Sequence, residues 1–217
     1  MCNINTDISA SILLQAYIKL KEKEIKVGKG KKEDHGRSGN IMMFDLDSEN
    51  EFSSIEGYAK SQTSMKSEES IGCVMTYEHV VGGQADKPKR KADLFLLMQS
   101  RRGGWNFVKG HREHGESDEE TLRREVYEET GIESFKILGF IGKIKYKFLN
   151  KANQLISKEV KFYLTLSDTR RIRLSSEHVA FTWVDYEQGI EILSFPRSVL
   201  ILHRAVKMKK ALRATTH

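Results

Sequence analysis

Covalent rigidity is scarce in this chain. Of its 217 residues only two are proline and two are cysteine. Cys2 and Cys73 are far apart and form no metal-ligand spacing, so neither a disulfide scaffold nor a zinc cluster is expected. Free thiols in a reducing, cytoplasmic setting are the expectation, with Cys73 buried inside its apolar run. No apolar stretch approaches the ~20 residues that cross a bilayer, which argues against a membrane protein. The opening MCNINTDISASILL carries Asp7 where a secretory signal would be basic, so no signal is read there. Acidic residues are missing from one region in particular, the tail from Arg197 to Arg213.

What is present describes a domain with a full core: 39% of residues are hydrophobic and 30% charged. The formal net charge is +6. Its excess falls in that tail and in Lys143, Lys145, Lys147, Lys151, Lys158 and Lys161. Polyanionic ligands would use such a distribution, and so would an ordinary solvated face.

The pattern divides the chain into an N-terminal extension, residues 1–69, and a compact domain, residues 70–213. Within the extension, residues 7–24 carry a helical apolar stripe that would serve a protein partner or pack on the domain. Residues 25–68 have too few apolar side chains for a core and read as an irregular linker with a short strand at 41–44. The segment GKGKK there lacks the G-x4-G-K-[ST] spacing of a phosphate loop. In the domain, strands are expected at 71–77, 93–99, 135–148, 159–167 and 180–184, the second buried on both faces. A polar loop should join 148 to 159. Helices are expected at 185–193 and 196–212, the latter with proline in its first turn. The fold class is therefore α/β (α+β).

One further helix organises the rest. Ser117 followed three residues later by Glu120 forms a capping box, Leu122 and Val126 supply an apolar stripe, and Gly131 supplies the stop. Glu125, Glu128 and Glu129 project from nearly one face of it. Like charges at this spacing repel. A hard divalent cation shared with phosphates would turn that repulsion into a binding site. Arg124 is placed to pair with Glu128 one turn on.

The full spacing from Gly110 resembles the Nudix box, G-x5-E-x7-R-E-U-x-E-E-x-G-U. Gly110, Glu116, Arg124, Glu125, Glu128, Glu129 and Gly131 meet every fixed position, with aliphatic Val126 and Ile132 at the U positions. The resemblance implies a Nudix fold, a mixed sheet between helices, and hydrolysis of a nucleoside diphosphate linked to another group. It also implies Mg²⁺ as cofactor, with Mn²⁺ as a substitute, held by Glu125, Glu128, Glu129 and the backbone at Gly110. Glu116 and Arg124 would orient those carboxylates. The number of ions stays open.

Over residues 70–208 the chain is similar to the asymmetrical bis(5′-nucleosyl)-tetraphosphatases. Trp105 ahead of Lys109-Gly110-His111 resembles their W-x-x-P-K-G-H run, with Val108 in place of the usual proline. Gly139-Phe140 followed by Tyr146 resembles their base-stacking region, and Glu177-His178 followed by Trp183 their E-H-x4-W stretch. This implies cleavage of diadenosine tetraphosphate to ATP and AMP, with Lys109 and His111 near phosphates and a base on Tyr146. On strand 159–167 one of Phe162 and Tyr163 would face the site, and Tyr163 is carried as the candidate. The general base is open between Glu125 and Glu177. Two alternatives accompany this reading. One is an RNA 5′-end pyrophosphohydrolase or decapping enzyme, favoured by the basic tail. The other is a non-catalytic nucleotide-binding module, which the complete set of box glutamates disfavours.

Overall fold

A computed structural model describes residues 43–44, 66–82, 90–150, 152 and 154–215. The expected helix at 7–24 and nearly all of the expected linker lie outside these residues. The strands are β1 (Met43–Phe44), β2 (Lys66–Val81), β3 (Arg90–Ser100), β4 (Trp105–Asn106), β5 (Val108–His111), β6 (Phe135–Leu149), β7 (Leu155–Ser167) and β8 (His178–Val184). The helices are α1 (Asp118–Thr130), α2 (Tyr186–Ile192) and α3 (Pro196–Ala214). The strands form one mixed sheet in the order β1-β6-β7-β2-β3-β4, with β5 on β2 and β8 on β3. Among the described residues only the β2–β7 pair is parallel.

Strand alternation divides the apolar residues between two cores. On one face Val74, Phe95, Leu97, Phe107, Phe162 and Leu164 pack with Ile201, Leu202 and Ala205 of α3. On the other, Ile71, Cys73, Met75, Leu96, Met98 and Val108 pack with Leu122 and Val126 of α1. The continuous run in β3 is buried on both sides, as its composition predicts. Cys73 is fully buried, and loss of hydration pushes its thiol up to about 12. Among the described residues no helix is long and apolar enough to cross a membrane.

Several strands exceed their sequence-based limits. β2 runs from residue 66 to 81 rather than 71 to 77 because its polar ends still have ladder partners. Lys66 to Glu69 pair with β7, and Glu78 to Val81 with β3. The expected loop at 149–157 contracts to a hairpin turn, in which Asn150 Oδ1 accepts from the N–H groups of Ala152 and Gln154. The far end of α3 is tied to the sheet by charge. Glu78 lies 2.9 Å from Lys209 Nζ and accepts from Arg213 at 3.2 Å, while Asp93 accepts from Arg213 at 2.8 Å.

Candidate active site

The site is built where β5 passes beneath α1. The helix starts as its capping box predicts: Ser117 Oγ accepts from Glu120 N, and Glu120 accepts from Ser117 N. It stops at Gly131, whose φ of 72° is left-handed and suits glycine. Leu122 and Val126 anchor its apolar stripe, which fixes where the glutamates point.

Gly110 is the closest approach of strand to helix. A Cβ built on it would lie 1.8 Å from the carboxyl carbon of Glu125. Only glycine leaves room for that carboxylate, which gives the first position of the box a steric reason. Glu125 and Glu129 are 8% and 7% exposed, whereas the Glu128 side chain is 56% exposed. The three glutamates are therefore inequivalent.

Arg124 organises the cluster. Its Nε and Nη2 donate to the two oxygens of Glu116 at 2.7 and 2.9 Å, a bidentate pair. Nη2 also donates to the His111 carbonyl at 2.8 Å, and Nη1 to Glu125 at 2.8 Å. Contact with Glu128 exists but is long, 3.4 Å. The dominant partner is thus Glu116, eight residues back, and not the expected i+4 glutamate. A turn brings Glu116 over the helix, a placement that helical periodicity alone does not contain. Glu116 also accepts from Thr121 and from Glu113 N, and with Arg124 as the main cause its carboxyl is held down to about 2.

Burial has the opposite effect on the inner pair. Desolvation raises Glu129 to about 8, with Lys109 opposing and Glu125 and Glu177 adding to the rise. Glu125 is raised for the same first reason, opposed by Arg124, with Glu128 and Glu177 contributing. Glu129 accepts from Lys109 N at 3.3 Å. Glu177, from the loop before β8, is thereby placed in the electrostatic neighbourhood of both carboxylates. Two buried oxygen-donor groups, a third carboxylate nearby and a close backbone strand suit a hard cation by donor chemistry. Among the described residues no three His, Cys, Asp or Glu side chains already stand together as a cation-binding group.

Beside this cluster, on the α3 face of the sheet, lies a cavity of about 390 Å³. Lys109 belongs to its wall, along with Tyr146, Phe162, His178, Phe195 and Arg197. Tyr146 is half-buried, its ring 6.0 Å from that of Phe148. His178 is shifted downward by burial and by Lys109, which favours a neutral ring.

The structure separates Phe162 from Tyr163. Phe162 lines the cavity, whereas Tyr163 lies on the α1 face and donates to Asp118 Oδ2 at 2.5 Å. There it joins Arg112, Glu69 and Lys161 in an ionic network at the start of the helix. Tyr163 is thus outside the cavity, because consecutive strand residues face opposite ways.

The sequence names Lys158 only as one of six lysines in a basic stretch. This lysine is 8% exposed, and its Nζ lies 2.9 Å from Nε2 of His111. Burial and the neighbouring Lys109 lower it to about 8, against Glu68 and Glu125. A signal did exist: Lys158 shares the parity of Val160 and Phe162 on β7, so it is a lysine at an inward position.

A mixed sheet between helices carries an acidic helix packed against a glycine-bearing strand, with an aromatic-walled cavity adjoining it. The NUDIX domain profile matches residues 80–202. The mouse bis(5′-nucleosyl)-tetraphosphatase [asymmetrical] is 38% identical over 108 residues, covering 46% of this chain and 70% of the relative. The pig protein of the same description is 35% identical over the same length and coverage. Among solved structures, the C. elegans Ap4A hydrolase binary complex shares the fold, with TM-score 0.55 and 23% identity, covering 66% of this chain and 98% of that one. The chain belongs to the Nudix family, as a pyrophosphohydrolase of the Ap4A hydrolase-like type.

Proposed function

We propose that this enzyme cleaves dinucleoside polyphosphates asymmetrically, converting diadenosine tetraphosphate and water to ATP and AMP, with Mg²⁺ as cofactor and Mn²⁺ as a substitute. The observation that carries this is the continuity, through Lys109, of the carboxylate cluster with an aromatic-walled cavity. A nucleoside fits the second while its phosphates reach the first. The similarity to the mouse and pig asymmetrical bis(5′-nucleosyl)-tetraphosphatases supports the same substrate.

Glu125 and Glu129, with Glu128 and the backbone at Gly110, would hold the metal. When bound it would neutralise phosphate charge and make water a stronger nucleophile. Arg124 fixes Glu125 from one side, and Glu116 fixes Arg124, so the carboxylate is oriented before substrate arrives. Lys109 and Lys158 supply positive charge along the phosphate chain, with the His111 ring beside Lys158 as a polar contact. Tyr146, with Phe195 in the same cavity, offers the base an aromatic surface. The proton of the attacking water passes to the carboxylate of Glu125 or Glu177, which share one electrostatic neighbourhood.

The test is a Mg²⁺ assay on diadenosine tetraphosphate, 5′-triphosphorylated RNA, capped RNA, ADP-ribose and nucleoside triphosphates, with products resolved by chromatography. ATP plus AMP from the first, and little turnover of RNA ends, is the expected result. Preferential attack on RNA would transfer the assignment to the 5′-end reaction. Replacing Glu129 by Gln should abolish turnover with the fold intact by circular dichroism. Near wild-type rates in that variant would remove the metal assignment.

A further inference from the structure

The α3 face of the sheet extends past the cavity, and there a carboxylate enters the basic row. Lys109 and His111 are two apart on β5 and so share a face. Tyr146 pairs directly across from Lys158, and Lys158 pairs in parallel register with Glu68. Directly paired residues project to the same side, so aromatic, ammonium and carboxylate form a row across three strands. Glu68 Oε2 lies 3.1 Å from His111 Nε2, the same nitrogen that Lys158 approaches at 2.9 Å. Lys66 lies 3.6 Å from the other Glu68 oxygen. Electrostatic influence of Glu68 reaches both Lys158 and the Tyr146 hydroxyl.

A carboxylate in this place is unusual for a path meant to receive phosphates. It engages His111 and Lys66, polar groups that a phosphate chain would otherwise meet, and it repels any phosphate that extends toward it. We propose that Glu68 is a specificity-determining residue, an internal anion that ends the basic path beyond His111 and Lys158 and limits the length of polyphosphate accepted. The inference rests on the dinucleoside polyphosphate reading above and adds to it a limit on chain length. A tetraphosphate is accommodated short of Glu68, and each further phosphate meets like charge at close range.

The comparison is kcat/KM for dinucleoside penta- and tetraphosphates, measured on the full chain at fixed free Mg²⁺. Glu68→Gln should raise the penta-to-tetra ratio on the order of tenfold, the size of a like-charge contact largely screened by water. Glu68→Lys should raise it further, and added salt should shrink both effects. Glu159→Gln is the control. It changes net charge equally, but Glu159 lies at the opposite parity of β7 and pairs with Lys143 and Lys145. Its ratio should stay at the wild-type value. An unchanged ratio in Glu68→Gln with both substrates hydrolysed, or an equal shift in Glu159→Gln, would overturn the inference and leave the proposed activity standing. Wild-type protein that hydrolyses neither dinucleotide would overturn both.

Discussion

At the scale of single residues, the informative contrast is between two tyrosines. Tyr146 is on the cavity wall, whereas Tyr163 spends its hydroxyl on Asp118 across the sheet. Truncating Tyr146 to Ala removes a stacking surface worth ~1–3 kcal/mol, so KM for a dinucleotide should rise roughly 10- to 100-fold. Tyr163→Phe should leave KM unchanged and lower stability by about 1 kcal/mol, the net value of one hydrogen bond. Steady-state kinetics and urea titration of the two variants check both outcomes. A KM increase in Tyr163→Phe would show that the α1 face also contacts substrate. The box glutamates teach a related point. Their spacing is regular, yet two are buried and one is exposed, because the strand bearing Gly110 covers only part of the helix face.

At the scale of elements, the decisive relation is the fit of α1 on β5. Capping residues, apolar stripe and C-terminal glycine all made the helix legible, and its limits fall where they place them. The two short strands β4 and β5 were not legible, since Trp105 to His111 shows no alternation long enough to distinguish it from a lead-in loop. The packing distance between β5 and α1 sets the tolerance of the site. Gly110→Ala would put a methyl group inside the Glu125 carboxyl, forcing the carboxylate aside. A displacement of about 1 Å at a reacting centre costs on the order of a hundredfold. We expect kcat to fall by at least that much with far-UV circular dichroism unchanged. Retained activity would mean that Glu125 is not needed in its observed position.

For the molecule as a whole, α3 closes one face of the sheet and its far end depends on charge. Burial by itself raises Glu78, but Lys209, Lys91 and Arg213 outweigh it and hold the group down at about 2, from an ordinary 4.5. Asp93 shares Arg213 yet is raised, because burial is the larger influence there. A depressed carboxylate contributes stability above its unfolded pKa and loses it as pH falls toward the folded value. Glu78→Gln should therefore cost about 1–2 kcal/mol at pH 7, after discounting for solvent screening. The difference from wild type should shrink as the pH falls below about 4.5 and largely disappear near 2. Urea unfolding at pH 7 and pH 3 measures this, and an equal loss at both would show that the pair acts through packing.

The sequence by itself determined the α/β class, the acidic helix with both its ends, the two-sided burial of β3 and the spacing that marks the Nudix family. Those properties are legible in one dimension, because capping and periodicity depend on residues within a turn or two and the motif lies in the single stretch from Gly110 to Ile132. It was also enough to bring Lys109, Glu116, Arg124, Glu125 and Glu129 forward as one group. Only the tertiary structure decided that Phe162 and not Tyr163 meets the cavity, since alternation fixes a relative parity and leaves the absolute face to packing. It also decided that Arg124 serves Glu116 before Glu128, and that Lys158 and Glu68 join His111. Lys158 is 47 residues from His111 and Glu68 is 43, separations at which only the strand register brings side chains together.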